Sequence, residues 1–287
     1  ASAGERKYLA RARGWPHART YAVCGHRRRD GGQLVAPLHA QVREDTREAQ
    51  QKVALAKCDA MSGISRETCV SSAKAAARAE SGVLYLVSTP IGNLGDMSHR
   101  AVEVLSSAAL VIAEDTRHSG LLLKHFEIKK PFVSYHEHNE AARTAELVER
   151  LARGENVALI TDAGTPGLSD PGLRLIRECI SRELPFTIVP GPSAIPTALL
   201  GSGFSTEKFS FRGFLPVKSG RRERELRIAA EREETTLFFE SPYRLLKTLQ
   251  VCITIMPERQ LCIARELTKK FEEFRRGTAA ELLAHYE

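Results

Sequence analysis

Six short apolar runs in this chain are each followed at once by residues suited to binding ligands or moving protons. VLYLV runs into STPIGNLGD, LVIA into EDTRHSG, FVSY into HEHNE, NVALIT into DAGTPGLSDPG, FTIV into PGPSA, and TLFFE into SPYRL. That is more chemistry than turning a chain requires. Segment 162–172, DAGTPGLSDPG, holds three glycines and two prolines in eleven residues. Such a loop lets a flat ligand approach the main chain; a βα connection that uses Gly and Pro only for turning is the competing reading. STPIGN lacks both GxGxxG and GxxxxGK[ST], so neither a dinucleotide nor an ATP fingerprint is present.

EDTRH sets two carboxylates beside an arginine, with Asp115 suited either to proton transfer or to capping the next helix. In HEHNE, His136 and His138 stand two apart, which on a strand puts them on one face, but no third ligand follows at metal spacing. Substrate contact or helix capping therefore ranks above a metal.

Ligands of open α/β sheets bind beyond the carboxyl ends of the strands, so these loops need a sheet to hold them. The runs alternate with helical stretches such as HRAVEVLSSA, HSGLLLKHF, NEAARTAELVERLARG and GLRLIRECIS. Few charges in the runs predict strands covered on both faces, hence a mostly parallel sheet between helices. A second unit begins near Phe209 with FSFRGF, RRERELRIAAERE, TLFFE, YRLLKTLQ, QLCIARE and ELLAHY, which places the boundary within 201–208 and gives domains of 83–203 and 204–287.

The first 82 residues differ. They hold 15 Lys and Arg against 8 Asp and Glu, whereas the remainder is balanced at 27 against 27, so the net charge of +7 originates there. Their Arg-, Gly- and His-rich stretches lack periodicity and predict an appended segment, disordered or loosely helical. With 287 residues, 43% hydrophobic and 27% charged, the chain is neither fibrous nor wholly disordered. Six scattered cysteines (Cys24, Cys58, Cys69, Cys179, Cys252, Cys262) predict free thiols and no structural metal. No apolar run reaches membrane length and no export signal is visible, so a cytoplasmic location is expected.

Taken in order, LVSTPIGNLGD, AEDTRHSGLLLKHF, HEHNE, TDAGTPGLSDPG, VPGPSA, FRGFLP, FFESPYRL and ARELTKKFEE resemble the small-subunit ribosomal RNA cytidine 2′-O-methyltransferases of the tetrapyrrole methylase superfamily. The resemblance covers about 83–287. It implies a two-domain α/β fold, mostly parallel sheet in the first domain and mixed sheet in the second, working as a homodimer on 16S rRNA of the small ribosomal subunit. It also implies S-adenosylmethionine in the inter-domain cleft, contacted by Pro90, Ala163, Gly164, Thr165, Leu168, Ser193, Ala194 and Ser241. Family members continue past the ELLAHYE segment to a basic stretch and a final strand, so the second sheet is expected to be short of an edge strand.

A ribose hydroxyl is weakly acidic, and a nearby base would speed transfer by on the order of 10²- to 10⁴-fold. The candidates are Asp115, then Glu240 and His136; Asp115 could instead hold the methionine amino group. Segment 218–232 carries six Lys and Arg, so Lys218, Arg221 and Arg222 are expected to contact RNA, with Arg117 and Arg244 nearer the reacting ribose. A solvated, internally paired helix face is the alternative there. Two other functions remain open: a superfamily relative acting on a tetrapyrrole-type small molecule, and a catalytically inactive RNA-binding module.

Overall fold

The alternation of apolar runs and amphipathic stretches becomes alternating strands and helices in the computed structural model, which describes residues 20–24, 81–136 and 138–287. The first domain contains β2 (Leu84–Val87), α1 (His99–Ser107), β3 (Leu110–Ala113), α2 (Thr116–His125), β4 (Phe132–Ser134), α3 (Glu140–Ala152), β5 (Val157–Ile160), α4 (Leu173–Ser181), β6 (Phe186–Val189) and α5 (Ala194–Ser202). Its five strands are all parallel, in the order β4-β3-β5-β2-β6.

Successive strand residues point to opposite faces, and here both faces are covered. Leu84, Leu86, Ile112 and Leu159 pack with Leu147 and Leu151 of α3 and Leu175 of α4. Val87, Val111, Ala158 and Ile160 pack on the other side with Ala101 and Leu105 of α1 and Leu123 of α2. The first two helices start where a side chain satisfies an orphan N–H. Ser98 accepts from Ala101 N ahead of α1, and Asp115 accepts from Arg117 N ahead of α2.

The second domain contains β7 (Phe209–Phe214), α6 (Ser219–Glu231), β8 (Thr235–Glu240), α7 (Leu245–Ile255), β9 (Leu261–Arg265), β10 (Glu273–Gly277) and α8 (Ala279–Tyr286). Its sheet also takes in β1 (Thr20–Cys24), giving the mixed order β10-β9-β1-β8-β7. Strand β1 lies antiparallel to both β8 and β9 and is therefore central. This corrects one reading of the sequence: one strand comes from the segment expected to be disordered or helical. Among the described residues this sheet has five strands, with β7 and β10 at its edges. TYAVC is a strand-compatible pentad, but its Arg-rich flanks hide the pattern. The rest of 1–80, including Cys58 and Cys69, lies outside the described residues.

The two domains share a core. Ala194, Ala198 and Leu199 of α5 pack against Leu237, Phe239, Cys262 and Ala264 of the second sheet. Arg276 of β10 donates to Ser202 O at 2.6 Å and to Gly201 O, and Phe274 lies directly on Gly201. Cys179, Cys252 and Cys262 are buried and form no disulfide. Among the described residues no helix is long and apolar enough to cross a membrane.

Ala22 sits opposite Phe238 on one side and Ile263 on the other. A proline there removes an N–H from a central strand. Ala22→Pro is expected to accelerate amide exchange at Phe238 and Ile263 while leaving Leu159 of the first sheet protected, as read by hydrogen exchange with mass spectrometry.

Candidate active site

Strands β5, β2 and β6 are neighbours, so the loops that leave their carboxyl ends meet. Thr89 N donates to Gly164 O at 2.9 Å and Gly164 N donates back to Thr89 O at 3.1 Å, forming an isolated antiparallel bridge between the first loop and the Gly/Pro loop. Thr89 Oγ1 donates to Thr161 O at 3.0 Å, and the Ser88 and Thr165 hydroxyls share a 2.9 Å hydrogen bond. From β6, Gly191 abuts Ser88 so closely that an added Cβ would lie 3.0 Å from the Ser88 Cβ.

These loops and the second sheet bound a small, partly open cleft. Ala163, Gly164, Thr165, Leu168, Ser193 and Ala194, six of the expected cofactor contacts, line it. Pro90 and Ser241 do not; Pro90 is buried, and its neighbour Ile91 faces the cleft instead. Asp170, Ile195 and Phe239 complete the wall and were missed in the sequence. Asp170 belongs to a recognisable loop, but Phe239 reads as one more apolar strand residue, and nothing in the chain alone marks it as a cleft residue. Gly164 has φ +89, a conformation that L side chains rarely adopt, and a Cβ there would project toward Ile91 and Pro192 O.

The three candidate bases lie at the ends of three different strands, β3, β4 and β8. Asp115 caps α2 and grips Arg117 through Arg117 N and Nε to Oδ1 and Nη2 to Oδ2, the last at 2.9 Å. The Arg117 guanidinium hydrogen bond, helped by the backbone N–H, lowers its pKa to about 2. His136 stands at the end of edge strand β4, where Asn139 reaches its Nε2 at 3.2 Å and its Nδ1 is buried without a hydrogen bond. Glu240 is 0% exposed: its Oε1 takes Ser241 N at 2.7 Å and Arg244 Nη2 at 2.6 Å, and its Oε2 takes the Thr248 hydroxyl at 2.6 Å. With both oxygens engaged, Glu240 holds the β8 exit together.

The expected RNA contacts divide the same way. Lys218 and Arg221 are exposed at the start of α6, and Arg117 is exposed although paired. Arg222, by contrast, is 6% exposed and directs Nη1 toward Val217 O. Arg244 is spent on Glu240 and on Leu215 O, to which Nη1 donates at 3.1 Å. Both are corrections: alternation along an amphipathic helix turns Arg222 inward, and the exit of β8 claims Arg244.

Residues 83–283 match the family of Tetrapyrrole (Corrin/Porphyrin) Methylases, and the chain belongs to that family. Within it, the chain is similar to ribosomal RNA small subunit methyltransferase I of Synechocystis sp., with 49% identity over 206 residues, 71% of this chain and 74% of the relative. The protein of the same name from Haemophilus influenzae is 47% identical over 202 residues, 70% of this chain and 71% of the relative. The resemblance read from the loops therefore holds. Among solved structures, diphthine synthase shares the fold at TM-score 0.52 and 14% identity, over 70% of this chain and 84% of that one. A uroporphyrin III C-methyltransferase from Thermus thermophilus shares it at TM-score 0.51 and 18% identity, over 72% and 92%.

Arg244→Ala leaves the Glu240 carboxylate buried without its cation, which costs about 3 kcal/mol. A lower denaturant midpoint is expected, and Arg222→Ala should also shift stability more than RNA affinity. An unchanged midpoint in Arg244→Ala would contradict the pairing.

Proposed function

We propose that the chain transfers a methyl group from S-adenosylmethionine to the 2′-hydroxyl of a cytidine in 16S rRNA. The observation that carries this is the cleft, in which six residues chosen from loop motifs line one cavity between two domains. Its donor set fits the cofactor. Main-chain groups of Ala163 and of the Ser193 turn offer hydrogen bonds, Ile91, Leu168 and Phe239 offer apolar walls, and the missing side chain of Gly164, whose own N–H and C=O are paired with Thr89, leaves room for close approach. When bound, the cofactor supplies an electrophilic methyl carbon on a sulfonium. The names of the similar proteins favour ribosomal RNA over a tetrapyrrole as acceptor.

In-line transfer from a sulfonium asks mainly for placement, and effective molarity can provide most of the acceleration. The chain meets that need by stitching the β2, β5 and β6 loops to each other, so the cleft wall does not have to reorganise. Asp115 is ionised at any physiological pH and, with so low a pKa, is a poor proton acceptor; we assign it to holding α2 and Arg117. We further take 83–203 as its first domain and 204–287, completed by β1, as its second, a homodimer as its working form, and the cytoplasm as its location.

Gly164→Val forces a β-branched residue into positive φ at the cleft wall and should weaken cofactor binding roughly tenfold or more by calorimetry. Labelled methyl should pass to purified small subunits and not to a tetrapyrrole; the opposite result would refute the assignment. Asp115→Asn keeps a helix-capping side chain, so its pH–rate profile should superimpose on the wild type between about pH 5 and 9, with Asp115→Ala losing thermal stability instead.

A further inference from the structure

Because β7 is parallel to β8, and β1 is antiparallel to both β8 and β9, strands β7, β8 and β9 all point the same way. Their exits therefore lie along one edge of the second sheet. Phe239, next to the last residue of β8, lines the cleft, so this edge forms its rim. The loop after β9 confirms the placement from the other side: Gly92 of the first loop is in contact with it, and an added Cβ would meet Leu267 O at 2.7 Å.

Each of these exits displays large apolar residues to solvent. Val217 is 78% exposed after β7, Tyr243 is 95% exposed after β8, and Phe271 is 69% exposed after β9. Strands two places apart are about 10 Å apart, so the loops that bear Tyr243 and Phe271 begin at that separation. The loop bearing Phe271 is held in an unfavourable conformation, with Glu266 at φ 51 and Thr268 at φ 63. It is fixed there by Thr268 N donating to Glu272 Oε2 at 2.7 Å and by a 3.1 Å ion pair between Lys269 and Glu266. Strain maintained by local bonds is common at ligand-binding loops.

Cations accompany the exposed rings. Lys218, Arg221, Lys247 and Lys270 are exposed along the same edge, and no ion pair engages any of them among the described residues. Lys270 Nζ lies 5.4 Å from the Phe271 ring centroid. The acids of this edge are already committed: Glu240 to Arg244, Glu266 to Lys269, and Glu272 to the backbone. An apolar partner surface has no use for four unneutralised cations, whereas single-stranded RNA offers both phosphates and unstacked bases.

The geometry points to Tyr243 and Phe271 as stacking platforms for unpaired bases flanking the nucleotide at the cleft, with Lys218, Arg221, Lys247 and Lys270 on the adjoining phosphates. This rests on the RNA reading above and specifies how the substrate is held.

The test uses the full chain and Tyr243→Ala, Phe271→Ala, Tyr243→Phe and Phe271→Trp. Affinity for fluorescein-labelled oligocytidine RNA is read by anisotropy, KM and kcat with purified small subunits by methyl transfer, cofactor affinity by calorimetry, and mass by sedimentation. Each alanine variant is expected to weaken RNA binding and raise KM about five- to a hundredfold. The aromatic replacements should stay near wild type and cofactor affinity should be unchanged in all four. Alanine variants with wild-type RNA affinity overturn the inference, as does a fall in assembly mass at constant RNA affinity, which would mark a contact between copies of the chain. If the wild type methylates no small subunit yet the alanine variants still lose oligocytidine, the acceptor assignment fails and the stacking platform stands.

Discussion

The reciprocal hydrogen bonds between Thr89 and Gly164 join two loops that leave neighbouring parallel strands, and the cleft depends on them. Parallel strands fix where loops begin but not where they go. A two-way backbone pair fixes both, because each residue supplies a donor and an acceptor in the same plane. Once Thr89 and Gly164 are paired, Ser88 comes within reach of Thr165, and Gly191 closes on Ser88 from the third loop. The positive φ of Gly164 is the condition for that pairing, which is why the wall of the cleft has a glycine at its centre.

The same economy governs charge. Glu240 is fully buried, and a buried carboxylate persists only with near-complete satisfaction. Ser241 N, Arg244 and Thr248 provide it from three successive parts of the chain: the strand exit, the short 3₁₀ turn Pro242–Arg244, and α7. The result is a rigid turn whose outward residue, Tyr243, is almost wholly exposed. Arg244 extends this support to β7 through Leu215 O, so neighbouring strand exits are braced by one ion pair.

How much of this could be read in the chain follows from which signals are local. Gly/Pro loops and apolar runs are local, so the parallel sheet and the loop 162–172 were legible, whereas Ala163, Gly164, Thr165, Leu168, Ser193 and Ala194 were named individually through the family resemblance. Direction is not local. Arg221 and Arg222 are chemically identical neighbours, and only the orientation of α6 on the sheet decides that one is exposed and the other buried. Glu240 and Arg244 were each read as separate reagents because an i,i+4 spacing across a strand, a 3₁₀ turn and a helix start is not a helical pair until the turn is known. Strand β1 was illegible for the opposite reason: its partners are more than two hundred residues away in the chain, so local composition outweighed its pattern.

The position of β1 also bears on how the second domain coheres. Among the described strands, β8 and β9 do not pair with each other; each pairs with β1. The ladder that links the β7–β8 pair to the β9–β10 pair therefore runs through a segment that precedes the first domain. Burying the ends of both pairs under α5 supplies a second link, since Leu237 and Phe239 of β8 and Cys262 and Ala264 of β9 share one core with Ala194, Ala198 and Leu199. The cleft residue Phe239 belongs to that shared core, so the width of the cleft is set by the packing that joins the domains and not by either domain alone.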